Sequence, residues 1–186
     1  EQIRQAKALH DADRAVIGQM QCTIWETAWY MRGMENLMCD MMSEDPMADE
    51  LLDRVTDVAV KQIESLAAAG VDSVYFGDDI GMQHTIMMSE GLYGEWLKPR
   101  LKRVIDAARA VNPDVIISHR TNDYHADHRN ASLLVQDASY LLIVPNFCPE
   151  VPAMKKTPVI LHCYDHFQNP PFVADIAFAI DDVFDK

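Results

Sequence analysis

Ala69-Gly70-Val71-Asp72-Ser73-Val74-Tyr75-Phe76-Gly77-Asp78-Asp79 is the stretch that decides the fold. Ser73-Val74-Tyr75-Phe76 is a short β-prone run set between Gly70 and Gly77, the pattern of a strand buried in a parallel sheet. The residues ahead of it read as a helix. Asp45 is placed to N-cap it with Pro46 at the first helical position, Asp49 and Glu50 sit near the positive end of its dipole, and Gly70 closes it. Leu52, Val55, Ala59, Ile63 and Leu66 recur at three-four spacing and make one apolar face. A capped amphipathic helix feeding a single buried strand is one unit of a parallel α/β fold, and whatever follows Phe76 stands at a strand's carboxyl end.

Working outward, the same alternation continues in both directions. Ile3, Ala6, Leu9 and Ala12 predict a helix, and Ala15-Val16-Ile17-Gly18 the start of a buried strand. Residues 25–42, rich in aromatics and methionine, predict a helix broken at Gly33, whose side chains serve as plain core packing or as a pocket wall. A second long helix spans residues 89–111, with Leu101, Val104, Ile105, Ala108 and Val111 on one face and Pro99 kinking or restarting it. Val115-Ile116-Ile117 then reads as a strand, residues 131–137 as a short helix, Tyr140-Leu141-Leu142-Ile143-Val144 and Pro158-Val159-Ile160-Leu161 as two further strands, and residues 172–184 as a last helix. Single strands alternating with amphipathic helices define parallel α/β architecture. About five strands are visible where a closed (β/α) barrel needs eight in about 250 residues. Residues 1–186 are therefore expected to be a single domain, a partial (β/α) TIM-type barrel of about five βα units.

Composition narrows the function. The chain has 186 residues, 49% hydrophobic and 24% charged, the balance of a folded domain with a core of its own. Its formal net charge is −13 and its basic residues are not clustered, which argues against nucleic acid and anionic membrane surfaces as partners. No apolar run approaches the ~20 residues that span a bilayer, and the first residues do not read as a signal peptide. Cys22, Cys39, Cys148 and Cys163 lack paired spacing, as expected of reduced thiols in a cytoplasmic protein. Ten of the eleven methionines precede residue 90 and five of the seven histidines lie from 119 onward, so the last third is under different constraints.

Functional groups in parallel α/β folds gather at strand carboxyl ends. Phe76-Gly77-Asp78-Asp79-Ile80-Gly81-Met82-Gln83-His84 is such an end, and its adjacent carboxylates suit metal binding, proton transfer or acceptance of ligand N–H groups, their repulsion raising one pKa. Otherwise the run is an ordinary polar turn. His119-Arg120-Thr121-Asn122-Asp123, Pro145-Asn146-Phe147-Cys148-Pro149-Glu150 and His162-Cys163-Tyr164-Asp165-His166 follow the later strands and bring zinc-type ligands. No His-Glu-x-x-His or Cys-x-x-Cys element anchors them, and His125 and His128 read as surface residues. Gly-x-Gly-x-x-Gly, P-loop and Gly-x-Ser-x-Gly patterns are absent.

Ala69-Gly70-Val71-Asp72-Ser73-Val74-Tyr75-Phe76-Gly77-Asp78-Asp79-Ile80-Gly81-Met82-Gln83, followed by Leu97-Lys98-Pro99-Arg100-Leu101-Lys102 and preceded by Arg32-Gly33-Met34-Glu35-Asn36-Leu37 and Asp40, resembles the uroporphyrinogen decarboxylase superfamily. The resemblance is good over residues 15–118 and weak over 119–186. It implies an eight-stranded barrel and one of two activities: cofactor-free decarboxylation of a tetrapyrrole, or zinc-dependent methyl transfer between corrinoids and thiols. It places Trp29 and Tyr30 near the decarboxylase's pocket tyrosine, Asp78 where that enzyme has a serine, and His119 at the start of a His-x-x-Gly loop. Thr121 stands where the methyltransferases' zinc-binding cysteine belongs, and Asn122 replaces the loop glycine. The decarboxylase's arginine motif and catalytic aspartate, like the methyltransferases' last cysteine, are expected outside this chain.

These readings give Asp78, Asp79 and His119 as candidate catalytic residues and Trp29, Tyr30, Arg32 and Gln83 as candidate substrate contacts. The leading expectation is a lyase using no cofactor. In the methyltransferase alternative, zinc is held among His119, Cys148 and His162 and a corrinoid is the substrate. A non-catalytic barrel fragment or binding module is the third reading, and a homodimer the assembly left open.

Overall fold

The computed structural model describes residues 2–12, 14–82, 85–146, 149–150, 152–165 and 170–177. Helix α1 (Gln2–Asp11) leads into strand β1 (Ile17–Met20), then helices α2 (Trp25–Arg32), α3 (Met34–Met42) and α4 (Pro46–Ala69) precede strand β2 (Ser73–Phe76). A short helix α5 (Glu90–Leu92) passes through a π-helical turn, Tyr93–Leu97, into α6 (Lys98–Ala110). Strand β3 (Val115–Ser118), helix α7 (Ala126–Ala138), a 3-10 turn at Leu141–Ile143 and strand β4 (Val159–His162) complete the described elements.

Helix α4 forms where its caps predict. The Asp45 carboxylate accepts the Met47 N–H at 2.8 Å, and Gly70 takes φ 74°, the left-handed conformation that glycine adopts without strain. Leu52, Val55, Ala59 and Ile63 are buried, with Thr56 among them turning its hydroxyl back onto the Leu52 carbonyl. Leu66 packs on β1 so closely that a Cβ on Gly18 would stand 2.7 Å from one of its methyl carbons. The aromatic and methionine segment resolves mainly as packing: Trp25, Leu37 and Met41 are fully buried in one cluster with Leu52, Ile63 and Val104. Gly33, at φ 86°, makes the break between α2 and α3.

Helix α6 sets Leu101, Val104 and Ala108 of its expected inner face against the core. Val104 is fully buried, whereas Ile105 and Val111 are more than 40% exposed. Arg100 is buried as well, its guanidinium donating to the Trp96 carbonyl at 2.7 Å and to the carboxylates of Asp49 (2.5 Å) and Asp53 (2.9 Å). Those bonds tie α6 to α4, and Pro99 begins α6 after the π-helical turn instead of bending it.

β1 and β2 pair in parallel, Ile17 opposite Ser73 through Met20 opposite Phe76, and β3 pairs with β4 in parallel, Val115 opposite Val159 through Ser118 opposite His162. The four described strands thus form two pairs, with no closed barrel among the described residues. The expectation of about five buried strands is corrected in two respects. Residues 140–144 contain a 3-10 turn instead of a strand, because the Leu142 carbonyl takes the Met154 N–H at 2.9 Å and the Arg109 guanidinium at 3.2 Å, and β3 pairs directly with β4. The strands are also less buried than expected: Gly18 and Met20 of β1 are buried, no residue of β2, β3 or β4 is more than half-buried, and Ile17, Tyr75, Val115, Ile117 and Val159 are exposed. The short helix expected at 131–137 is longer, beginning at Ala126. Residues 172–177 are not helical, and the rest of the expected last helix lies outside the described residues. No described helix is long and apolar enough to cross a membrane.

Candidate active site at the strand ends

Two groups of polar side chains stand beyond the strands' carboxyl ends. At the first pair, the Gly77 carbonyl accepts both the N–H and the hydroxyl of Thr23, at 3.1 and 2.8 Å, which fixes the β1 loop against the β2 loop. Helix α2 begins at Trp25 with no side-chain cap of its own, since Ile24 occupies the N-cap position. Asp78 supplies what the sequence there lacks. Its Oδ2 accepts the N–H groups of Ile24 (2.7 Å) and Trp25 (2.6 Å), and its Oδ1 that of Glu26 (2.9 Å). A carboxylate here meets the unpaired donors and positive end of a helix.

Asp79 has a contrasting environment. It is exposed, its N–H donates to Glu26 Oε2 at 3.0 Å, and its Oδ1 accepts the Gly81 N–H at 3.1 Å. Burial pushes the Asp78 carboxyl above its ordinary pKa, against the pull of the three N–H groups, with the charge of Glu26 adding to the rise. Repulsion from Asp79 is not among the causes, so the shift expected of an adjacent acid pair comes instead from burial. Glu26 and the start of α2 were not singled out from sequence. They lie more than fifty positions from Asp78, and no local pattern announces the contact.

The candidate substrate contacts divide. Trp29 is half-buried, its indole N–H lacks a partner among the described residues, and its ring centroid is 4.0 Å from that of Tyr30, which is exposed. Arg32 is committed to Asp40, Nε to Oδ2 at 2.7 Å. Gln83 and Cys148 lie outside the described residues.

At the second pair, the His119 backbone carbonyl accepts from Ser132 Oγ at 2.5 Å and from His162 Nδ1 at 2.6 Å. A carbonyl only accepts, so His162 carries its proton on Nδ1. Arg120 and Asp165 form a buried ion pair at 3.0 Å. Asp123, whose side chain is 2% exposed, accepts from the His125 N–H and faces His128 Nδ1, both at 2.9 Å. The His119 and His128 rings stack with centroids 3.9 Å apart and planes within 3°. His119 Nδ1 stands 3.9 Å from both Asp123 Oδ2 and Cys163 Sγ. Burial, followed by the neighbouring His128, holds His119 below its ordinary pKa and favours the neutral imidazole, while burial raises the Cys163 thiol.

One donor atom each from His119, Asp123 and His128 lies within 4.8 Å of the others. His128 is thus part of a half-buried cluster, correcting its reading as a surface residue. The signal was the spacing His119-x-x-x-Asp123-x-x-x-x-His128 across a turn from strand to helix. His162 is occupied with the His119 carbonyl and stands outside this donor set. The two strand ends also meet: a Cβ on Gly81 would fall on the Asp127 carboxylate, so glycine lets the β2 loop lie against the first turn of α7.

Parallel strands, covering helices and polar groups beyond the strand ends define a protein of the parallel α/β class. The sequence model of the uroporphyrinogen decarboxylase (URO-D) family matches residues 1–133, and the chain belongs to that family. Members of the superfamily are generally enzymes. No solved structure matches the chain.

Proposed function

We propose that this chain is a lyase of the carboxy-lyase type, acting on a tetrapyrrole-like substrate at the β1–β2 strand ends and needing no cofactor. The observation that carries the reading is the Asp78 carboxylate locked to three N–H groups of α2 while Asp79 beside it remains exposed. Asp78 holds the loop still. Asp79, with Oδ1 partly engaged by Gly81, offers acceptor oxygens to the N–H groups of a pyrrole. Protonation of a pyrrole carbon puts positive charge on the ring, and a fixed carboxylate stabilises that charge. Carbon dioxide then leaves the acetate side chain, the electrons of the broken C–C bond neutralise the ring as an exocyclic methylene, and a proton from water to that methylene with loss of the added ring proton gives the methyl pyrrole. Arg32 is already paired, so it does little for a polyacidic substrate, and the acid-rich opening favours the N–H face of the ring system.

In this reading residues 1–186 are one domain, the two strand pairs are parts of one TIM-type barrel, and the protein works in the cytoplasm. Uroporphyrinogen incubated anaerobically with the purified chain, then oxidised and resolved by carboxyl number, should lose carboxyl groups. Asp79→Asn should slow the loss by roughly 100-fold, the low end for a positioned acid or charge-stabilising group. An unchanged substrate removes the proposal. Methyl transfer between a corrinoid and a thiol is the second reading, favoured by the nitrogen and oxygen donors at the β3–β4 ends.

A further inference from the structure

Protonation of a pyrrole carbon, the first step of the lyase reading, needs a group that gives the proton and later takes it back. The carbon concerned is bonded to the pyrrole nitrogen. A group that serves it must therefore stand beside the one that receives the pyrrole N–H, which in that reading is Asp79. Glu26 stands there. It is half-buried in the first turn of α2, and its Oε2 accepts the Asp79 N–H at 3.0 Å. That structural bond uses Oε2 alone.

The other protic side chains at this opening serve less well. Asp78 has both oxygens bound to N–H groups of α2. Burial, then the charge of Glu26 and a hydrogen bond to it, hold the Cys22 thiol above its ordinary pKa. Burial, then Cys22 and Glu26, do the same to the Tyr30 phenol. Both are weaker acids than a free thiol or phenol, and proton transfer favours a group matched to the working pH. These shifts also set Glu26 at the centre of the group, with Cys22 from the loop after β1, Tyr30 one turn further along α2, and Asp78 and Asp79 from the β2 loop.

We propose that Glu26 is the acid–base residue of the β1–β2 site, an inference that rests on the lyase reading. Its carboxyl gives a proton to the ring carbon between the nitrogen and the carbon that bears the acetate, the O–H bond breaking as the C–H bond forms. The C–C bond to the departing carbon dioxide then breaks, and its electron pair leaves the ring neutral with an exocyclic methylene. Water protonates that methylene, and the Glu26 carboxylate removes the added ring proton, which restores both the pyrrole and the acid. One solvent proton is taken up for each carboxylate lost.

The test measures loss of carboxyl groups from uroporphyrinogen by the full chain, by Glu26→Gln and by Glu26→Ala. The glutamine amide oxygen still accepts the Asp79 N–H, so KM and melting should stay near the wild type while kcat falls by at least about 100-fold. Formate should restore part of kcat in Glu26→Ala in proportion to its concentration and do nothing for Asp79→Asn. Far-UV circular dichroism and melting check that each variant folds. A kcat within about threefold of the wild type in folded Glu26→Gln overturns the inference and leaves the lyase reading standing. So does a loss of kcat that formate fails to relieve in folded Glu26→Ala, since Glu26 is then a positioning residue for Asp79. A wild-type chain that leaves uroporphyrinogen unchanged removes the lyase reading itself, and this inference with it.

Discussion

Replacing Asp78 by alanine should cost far more than removing an ordinary strand-end acid. Three backbone N–H groups at the start of α2 would lose their acceptor together. A buried donor left unpaired costs about 1–3 kcal/mol, and loss of a helix N-cap about 1 kcal/mol. The site is half-buried, so water would recover part of this, and the two N–H groups sharing Oδ2 are not independent. A loss of about 3–4 kcal/mol follows for Asp78→Ala. Asp78→Asn should cost about 1–2 kcal/mol, because its amide oxygen still accepts at one position while its NH2 group faces an N–H. Urea unfolding followed by tryptophan fluorescence measures both, and Trp25 at the head of α2 makes the signal local. If Asp78→Ala lies within about 0.5 kcal/mol of the wild type, the carboxylate is not what holds α2, and the assignment of Asp78 to the scaffold and Asp79 to chemistry fails.

Arg100→Ala should destabilise by about 1–2 kcal/mol, discounted from a fully buried pair because Asp49 and Asp53 are at least half exposed and rehydrate; thermal melting that matches the wild type would refute a role for the guanidinium in joining α4 to α6. Asp72, whose carboxyl is held below its ordinary pKa first by the Val16 N–H and then by His10, should stabilise the fold at neutral pH. Because the folded value is the lower one, that contribution is present above the unfolded pKa of about 3.9 and disappears as pH falls through the folded value. The melting difference between wild type and Asp72→Asn should therefore be constant from about pH 7 to 5 and close below about pH 4, and a gap that persists into stronger acid would contradict the assignment.

What the sequence disclosed followed from how local the cause was. Helix α4 was legible end to end because Asp45, Pro46 and Gly70 act within a turn of its limits. The four strands that pair were each marked by a short apolar run, but so was Tyr140-Leu141-Leu142-Ile143-Val144, and an apolar run of this length does not distinguish a strand from a half-buried turn. Its fate was decided by Met154 and Arg109, both distant in sequence. The same limit governed the site. His119 was marked by its place after β3, whereas His128 belongs to a helix whose start was set too late, at 131 instead of 126, so that it read as loop. Asp78 was found for its position, but its role depends on N–H groups contributed by residues 24–26.

Asp78 and Asp79 also show why adjacency is a poor guide to shared chemistry. Two neighbouring carboxylates that titrate as a pair must hold their oxygens in one environment. Here one is turned into the start of a helix and the other outward, and the charge that raises Asp78 beyond the effect of burial is that of Glu26. Glu26 accepts the Asp79 N–H while giving its own N–H to Asp78, so a single residue of α2 closes the loop from both sides. The backbone of residues 78–81 is thereby held on both sides, and Gly81 carries that segment onto Asp127 at the head of α7, directly before His128 in the same helix. The acidic opening at β1–β2 and the histidine cluster at β3–β4 are consequently neighbours through one glycine contact.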